Sequence, residues 1–312
     1  MGGALLERLS GSSLIRAAAR RERSLPAGER VIVDADSSTD DWRRALEGVN
    51  TVFHLAARVH KMRDAAPDPF AAFCAVNTRW TERLARLAAE AGVERFVFLS
   101  TVKVHGSPSS GPFHEWDPPA PDDAYARSKW EAEQALAAIS AETGLRVTVL
   151  RPPLVYGPGV RANFLSLMRA VRRGIPLPLG AVENRRSMVF VRNLADALAR
   201  AAEPDAPSGT WLVSDGEDLS TPELVRRLAG HLGRPARLVP VPAALIRASA
   251  RLLGKSEAAD RVLGSLQVDS SALRTALRWR PPYTVDAGLE ETARWFEVTC
   301  RTSSGSRQAE PG

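Results

Sequence analysis

The amino-acid sequence predicts an α/β fold, a doubly wound parallel sheet followed by a smaller, mostly helical C-terminal lobe. Apolar runs of strand length alternate with longer helical patterns through the first half of the chain, which is typical of stacked βαβ units. This alternation stops after a loop rich in proline and glycine at residues 151–159. A length of 312 residues is enough for one large α/β unit or two modest domains.

Short, mainly apolar runs give the predicted strands of the first half, at residues 14–19, 31–34, 51–56, 95–100 and 146–151. Helical patterns lie between them at residues 40–46, 69–91 and 124–143. The last two patterns are long enough to cross over the sheet between parallel strands. They stop at Gly92 and Gly144, and glycine commonly ends a helix.

The second half lacks a repeating βαβ pattern. Helices are predicted at residues 163–173, 221–232, 243–253 and 285–296, with short strands near 188–191 and 211–213. We therefore expect a sheet domain over residues 1–160 and a smaller lobe over residues 161–298. Residues 299–312 show no apolar periodicity and are expected to form a disordered tail.

Composition narrows the class of protein. Hydrophobic residues make up 44% and charged residues 25%, as in soluble globular chains. No apolar run reaches the 18 or so residues of a membrane span, and the first residues lack a secretory signal pattern. Only Cys74 and Cys300 are present, so a disulfide framework or a cysteine-built metal site is not expected. These features predict a cytoplasmic, metal-independent protein without a membrane partner.

The net charge of +6 raises the question of nucleic acid. Basic residues are interspersed with acidic ones, and the basic stretches lack interleaved aromatic residues, so no nucleic-acid partner is expected. Nearly all of the positive charge is arginine. Lysine occurs only at positions 61, 103, 129 and 255, so a lysine at a chemically suggestive spacing stands out.

Tyr125 and Lys129 are four residues apart near the start of a predicted helix, so their side chains project from one face. A phenol beside an ammonium is a plausible acid/base pair. Lowering a tyrosine pKa from about 10 to neutrality requires roughly 4 kcal/mol, which one partly desolvated cation nearby supplies in large part. An ordinary contact on a solvated helix face is the alternative.

The position of Thr101 favours the catalytic interpretation. It follows the apolar strand 95–100, and ligands of open parallel sheets bind at the carboxyl ends of the strands. Thr101 is therefore expected within reach of the same ligand as Tyr125. The resulting pattern is a threonine, a tyrosine and a lysine four residues after the tyrosine.

Five motifs occur in order: TVFHLAA (51–57), NTRWT (77–81), FLST (98–101), YARSK (125–129) and LRPPLVYGPG (150–159). With them the chain resembles the extended short-chain dehydrogenase/reductases, in particular the nucleotide-sugar epimerases and reductases, over residues 2–296. The resemblance implies a Rossmann-type fold, a homodimer formed through the two long helices of the first half, and chemistry at C4 of a UDP-hexose.

The resemblance also implies the role of each residue. Tyr125 would exchange a proton with the sugar 4-hydroxyl, Lys129 would lower the pKa of Tyr125 and hold the nicotinamide ribose, and Thr101 would hydrogen-bond the same sugar oxygen or Tyr125. Besides Tyr125 and Lys129, the implied cofactor-binding residues are Gly2, Arg20, Arg21, Asp36, Ala56, Ala57, Asn77, Ser100, Pro152 and Leu154. For Asn77, helix packing is the alternative.

For the substrate, the resemblance implies contacts from Lys103, Asn163, Leu179 and Arg186. Asn163 and Arg186 fall where the family contacts the nucleotide diphosphate, and the forked guanidinium of arginine suits phosphate oxygens. Leu179 belongs to a segment, 177–179, that resembles the stretch along the uracil. A surface role for the asparagine and the arginine is the alternative.

Two features depart from the family pattern. Gly2 aligns with the third glycine of the dinucleotide fingerprint, so we expect an upstream strand and two glycines to be missing. We therefore expect the chain as written to fold poorly or to bind the cofactor weakly.

The second departure concerns the choice of cofactor. Arg20 and Arg21 stand where an acidic residue usually meets the adenosine ribose. Arginine there suits a 2′-phosphate, so either NAD or NADP is expected; a solvated basic turn is the alternative. Asp36, or Asp34, would meet the adenine.

The residues after Thr101 limit the reactions that the chain is expected to catalyse. The family's 4,6-dehydratases carry an Asp-Glu pair there, and this chain has Val102 and Lys103, so dehydration is not expected. A 4-epimerase of the UDP-glucose or UDP-N-acetylglucosamine type is the first interpretation. An NADPH-dependent 4-ketoreductase of a UDP-4-keto-6-deoxy-hexosamine is the second. A catalytically silent NADP sensor is a third, of another class.

Overall fold

The computed structural model describes residues 1–11, 14–19, 29–59, 68–107, 109, 111–254 and 256–305. The strands are β1 (Arg16–Ala19), β2 (Glu29–Ile32), β3 (Thr51–His54), β4 (Arg95–Leu99), β5 (Pro112–Phe113), β6 (Arg146–Arg151), β7 (Leu154–Tyr156), β8 (Met188–Phe190), β9 (Gly209–Leu212) and β10 (Gln267–Val268). The helices are α1 (Gly2–Leu9), α2 (Thr39–Leu46), α3 (Pro69–Cys74), α4 (Trp80–Glu90), α5 (Ala124–Thr143), α6 (Ala162–Arg172), α7 (Val191–Ala201), α8 (Thr221–His231), α9 (Ala243–Leu252), α10 (Ser256–Leu263), α11 (Ser271–Ala276) and α12 (Val285–Gly305).

The main sheet has the strand order β3-β4-β6-β9, and all of its pairs are parallel, which confirms the predicted α/β class. Every residue of β4 is buried, as expected for a central strand covered on both faces. One face packs with α2, α4 and α5 around Phe96 and Phe98. The other packs with α1 and α7 around Val97 and Leu150.

The strands β1 and β2 form a separate parallel pair. Among the described residues, neither hydrogen-bonds to β3, which pairs on one edge only, with β4. Arg16 of β1 instead donates from Nη1 to the carbonyl oxygens of Ala45 (3.0 Å) and Glu47 (2.8 Å) at the end of α2. The doubly wound sheet is therefore divided into two parts within the described chain.

The smaller lobe is built on the pair β7-β8 and on α6, α8 and α12, which enclose Tyr156, Met188 and Phe190. The pair α9 and α10 packs on residues 177–182 through Leu179 and Leu263. On the outside of α9, two leucines, Leu245 and Leu252, are 59% and 90% exposed. In the described part of the chain, no helix is long and apolar enough to cross a membrane.

The structure differs from the sequence prediction in two places. β9 hydrogen-bonds to β6, and α7 packs against α1, so residues 191–212 belong to the main sheet although they were assigned to the lobe after residue 160. The sequence prediction contained no helix there, because β8 runs into α7 without a glycine or proline between them. The second difference is at the end: α12 continues to Gly305, so residues 299–305 are helical where a disordered tail was expected.

Candidate active site

Tyr125 and Lys129 lie one turn apart at the start of α5. The helix begins there because the Asp123 carboxylate accepts a hydrogen bond from the backbone N–H of Ala126 at 2.7 Å, which caps the first turn. Lys129 is only 1% exposed, and its ammonium lies 3.8 Å from the centroid of the Phe98 ring near the carboxyl end of β4. The helix thus carries Lys129 to the carboxyl end of β4, the edge of the sheet that the sequence had indicated.

Burial controls the charge of Lys129. It lowers the pKa of the Lys129 ammonium to about 7, and the carboxylate of Glu133, one turn further along α5, opposes this. The ammonium makes no hydrogen bond to any described residue and lies against an aromatic ring instead. A buried ammonium without an acceptor suits a ligand hydroxyl, so this observation fits the ribose of a nicotinamide dinucleotide.

Tyr125 is partly buried, and its ring lies edge-on to Phe73 with the centroids 6.1 Å apart. Burial, and then the charge of Asp123, raise the pKa of Tyr125 to about 12. This is opposite to the lowering that the sequence had led us to expect. In the protein alone the Lys129 ammonium lies against the Phe98 ring. Because its own pKa is lowered, Lys129 is a weaker source of positive potential for Tyr125.

Thr101 lies two residues after the end of β4 and is 9% exposed. Its hydroxyl oxygen accepts from the backbone N–H of Lys103 at 3.3 Å and so begins a 3₁₀ turn, Val102–His105. The N–H of Val102 donates to the carbonyl oxygen of Pro152 at 3.0 Å. This bond joins the loops after β4 and β6, so Thr101 and Pro152 lie at the same carboxyl edge of the sheet.

Lys103 forms an ion pair with Asp123, with 2.5 Å between Nζ and Oδ2. The pair joins the 3₁₀ turn after β4 to the first turn of α5, two residues before Tyr125. Both side chains remain 40% exposed. The structure therefore gives Lys103 a partner in the protein, in addition to the substrate contact implied by the resemblance.

A buried polar network lies behind the catalytic pair. The Glu133 carboxylate accepts from the Ser100 hydroxyl and from the Arg151 guanidinium, with Nε 3.2 and 3.1 Å from its two oxygens. Arg151 also lies 2.9 Å from Nε2 of His105, and burial, then the charge of Arg151, lower the pKa of His105 to about 4. The Ser100 hydroxyl is directed to Glu133, and its contact with the cofactor stays a prediction.

Sequence reasoning missed this network. Two signals were available: Arg151 is a charge directly after the apolar pair Val149 and Leu150 of a predicted strand, and Glu133 falls one turn after Lys129 on the same helix face. A charge in such a position requires a buried partner.

Asn77 is fully buried in the π-helical turn Ala75–Arg79 between α3 and α4. Its side chain accepts from the N–H of Arg58 (2.8 Å) and donates to the carbonyl of Arg58 and to Ser128 Oγ (3.0 Å each). The Ser128 hydroxyl in turn donates to the carbonyl oxygen of Tyr125. Asn77 therefore fastens the segment after β3 to the helix of the catalytic pair, in line with the packing alternative.

The remaining cofactor candidates lie in different surroundings. Gly2 begins α1 and is exposed, and Asp36 is exposed in a turn whose backbone is held by Asp34. Ala56 is exposed after β3, and Ala57 is partly exposed. Pro152 is buried, whereas Leu154 is 40% exposed. Arg20 and Arg21 lie outside the described residues.

The predicted substrate contacts of the second half are dispersed. Asn163 is exposed in the first turn of α6. Leu179 is buried in the cluster under α9 and α10, and its place along a uracil stays a prediction. Arg186 is partly buried and donates from Nη1 to the carbonyl of Gly264 at 2.8 Å.

A cavity of about 1140 Å³ lies around α11 and the segment that follows it, lined in part by Asp215, Arg274 and Trp279. None of Thr101, Tyr125 and Lys129 lines it. The candidate site is therefore identified by its chemistry and by its place at the sheet edge rather than by cavity size.

The parallel sheet and the tyrosine–lysine pair at its carboxyl edge define a short-chain dehydrogenase/reductase. Residues 1–213 match the family described as NAD dependent epimerase/dehydratase, and the chain belongs to that family. Membership confirms the family resemblance and the Rossmann-type fold predicted from the sequence.

The chain is 40% identical over 292 residues to the UDP-glucose 4-epimerase of Vibrio cholerae, covering 92% of this chain and 89% of the relative. It is 27% identical over 267 residues to the N-acetyl-alpha-D-glucosaminyl-diphospho-ditrans,octacis-undecaprenol 4-epimerase of Escherichia coli O157:H7, covering 81% and 79%. MoeE5, solved in complex with UDP-glucose and NAD, aligns with a TM-score of 0.76 at 27% identity over 96% of both chains.

These comparisons bear on the cofactor. The family is NAD dependent, and MoeE5 was solved with NAD. Of the two dinucleotides predicted, NAD is therefore supported directly. The prediction of NADP depends on Arg20 and Arg21, which lie outside the described residues.

Proposed function

We propose that this chain is an NAD-dependent 4-epimerase of a UDP-hexose of the UDP-glucose or UDP-N-acetylglucosamine type. The observation that carries the proposal is the pairing of Tyr125 with a buried Lys129 on α5, beside Thr101 at the carboxyl end of β4. The 40% identity to the Vibrio cholerae enzyme over most of both chains supports it.

The residues that would hold the cofactor are Gly2 at the start of α1, Ala56 and Ala57 after β3, and Leu154 after β6. Lys129 would donate its free N–H groups to the ribose hydroxyls. A bound NAD supplies a group that takes a hydride from the C4 position of the sugar and returns it.

Tyr125 would remove the proton of the sugar 4-hydroxyl as the hydride leaves C4, and return it as the hydride comes back to the opposite face. With a pKa of about 12, its phenol is protonated at neutral pH in the protein alone. Lys129, with a pKa of about 7, is about half charged there. Donating to the ribose hydroxyl oxygens would favour the charged ammonium of Lys129, which in turn favours the phenolate of Tyr125.

Thr101 would donate its hydroxyl to the same sugar oxygen, since its oxygen already accepts from the N–H of Lys103. Val102 offers no group that transfers a proton, and the Lys103 ammonium is held by Asp123, so this segment has no acid/base pair for elimination of water. The site therefore suits oxidation and reduction at C4 without dehydration.

The test is to incubate the purified protein with catalytic NAD and either UDP-glucose or UDP-N-acetylglucosamine, and to follow the sugar by ¹H NMR. Appearance of the C4 epimer without accumulation of reduced nicotinamide supports the proposal. Stoichiometric oxidation of NADPH with a UDP-4-keto-6-deoxy-hexosamine, and no epimerisation, would establish the ketoreductase instead. Cofactor binding without turnover of any of these sugars would establish a sensor.

A second candidate substrate is N-acetylglucosamine on an undecaprenyl diphosphate, which the name of the Escherichia coli relative specifies. The exposed leucines on α9 favour it, because a soluble nucleotide sugar gives no reason for such a surface. The same NMR assay with a detergent-solubilised polyprenyl-diphosphate sugar separates the two candidate substrates.

We also propose a homodimer formed through α4 and α5, which light scattering of the purified protein tests.

A further inference from the structure

The charge of the chain is concentrated in one segment. Residues 224–256 contain seven basic residues and no acidic residue: Arg226, Arg227, Arg234, Arg237, Arg247, Arg251 and Lys255. The net charge of the whole chain is +6, so the other residues together carry −1. The interspersed charge seen over the full sequence therefore conceals one strongly basic segment.

Much of this charge is exposed. Arg226, Arg234, Arg237 and Arg251 are exposed and have no acidic partner among the described residues. Arg247 meets Asp260 of α10 only at 3.7 Å, with both side chains more than half exposed. Such a pair is weak in water, so the local field remains positive.

The helix α9 joins this charge to an apolar surface. Leu245 and Leu252 are seven residues apart and lie on one side of the helix, whereas Arg247 and Arg251, four apart, lie on another. Leu253, which ends the helix, is 69% exposed. Ala243 and Ile246 pack on the lobe, so the outward half of α9 carries the leucines along one margin and the arginines along the other.

We propose that this face of α9, defined by Leu245, Arg247, Arg251, Leu252 and Leu253, docks on the surface of an anionic phospholipid bilayer. Helices that lie in a membrane interface combine exposed leucines with arginines that meet the lipid phosphates. The charge of the segment is complementary to such a surface.

Two observations favour lipid over other partners. Residues 224–256 contain no phenylalanine, tyrosine or tryptophan, so the segment has no side chain on which nucleic-acid bases stack. A second copy of this chain would bring the same arginines together, because the contact of a twofold dimer repeats one surface on both subunits. The lack of a spanning helix is no obstacle, because contact with the bilayer surface requires none.

The test is flotation of the full-length protein with vesicles of phosphatidylcholine alone or of phosphatidylcholine mixed with phosphatidylglycerol. The variants are Leu252→Ser with Leu253→Ser, and Arg247→Gln with Arg251→Gln. The matched controls are Val298→Ser, at a valine 58% exposed on α12, and Arg43→Gln with Arg44→Gln on α2.

We expect the protein to bind the anionic vesicles at low salt, and raised salt to weaken this binding. Each α9 variant lowers the bound fraction at least about tenfold, and the controls leave it unchanged. Turnover of a soluble UDP-sugar stays unchanged in the α9 variants, so a failure of the proposed reaction is separable from a failure of the docking.

Three results would overturn the proposal. The first is equal binding to neutral and anionic vesicles, or none to either. The second is a fall from dimer to monomer in the leucine variant without any vesicle binding, which would make the face a contact between copies. The third is binding of a single-stranded DNA oligomer, but not of vesicles, that the arginine variant abolishes.

Discussion

The ammonium of Lys129 lies 3.8 Å from the centroid of the Phe98 ring, so the carboxyl end of β4 and the first turns of α5 meet at a buried cation. The cation has no hydrogen-bond acceptor among the described residues. The free energy of unfolding therefore depends on whether Lys129 is charged, so the stability of the protein against pH reports on this site without substrate.

Replacing Lys129 by methionine should stabilise the protein most at low pH. Burial places the folded pKa near 7 against 10.5 in the unfolded chain, so the unfolded state binds the proton more tightly and wild-type stability falls as pH drops from 10.5 to 7. The advantage of Lys129→Met should therefore be larger at pH 6 than at pH 10.5 by roughly 3–5 kcal/mol. Urea unfolding at both pH values measures it; a constant difference would show that the ammonium is not desolvated.

Replacing Glu133 by glutamine should destabilise the protein strongly. Glu133 and Arg151 are each 4% exposed, and removing one partner leaves a buried charge without its counter-ion. Such losses cost about 3–5 kcal/mol. Glu131→Gln on the same helix, which loses an exposed pair with Arg127, should cost less than about 1 kcal/mol. Equal effects of the two variants in urea unfolding would contradict the buried network.

Acid should destabilise the protein through two histidines. Burial, assisted by Lys129, lowers the pKa of His54 to about 3, and the pKa of His105 is about 4, against 6.5 unfolded. The stability that neutral histidines contribute is present above pH 6.5 and is lost as pH falls toward these values. Near pH 5, His54→Gln should reduce the slope of stability against pH by about 1.4 kcal/mol per pH unit. An unchanged slope of stability against pH would show that the His54 ring is not desolvated in the folded protein.

The strands β1 and β2 should exchange their amide hydrogens before β4 and β6. They form a pair of four residues each, apart from the main sheet, whereas β4 is buried at every position. A two-stranded unit has little stability of its own. Hydrogen-exchange mass spectrometry measures the order; protection of β1 equal to that of β4 would show that the two parts of the sheet open as one.

Much of this protein could be predicted from its sequence. The bounds of β6 and α5 agree with the prediction at both ends, because a short run rich in valine and leucine and a helix bounded by Asp123 and Gly144 carry local signals. The tyrosine–lysine pair was predicted for the same reason, since a spacing of four fixes a shared helix face.

What could not be predicted depends on contacts between distant residues. Glu133 meets Arg151 and Ser100 only once α5 packs on the sheet, and Lys103 meets Asp123 only across the gap between two elements. The raised pKa of Tyr125 in the protein alone comes from burial and from Asp123, and neither effect can be read from the spacing of Tyr125 and Lys129. The packing of Leu179 likewise depends on α9 and α10, which follow much later in the chain.

The most direct test of the proposed function is the epimerisation rate of Tyr125→Phe, compared with Tyr283→Phe, at a tyrosine 39% exposed in the lobe. We expect Tyr125→Phe to lower the rate by about 10²–10⁴-fold, as loss of a general acid/base does, while NAD affinity and the unfolding midpoint stay close to wild type. Tyr283→Phe should retain the rate. Turnover by Tyr125→Phe within a few-fold of wild type would contradict the assignment of the proton transfer to this residue.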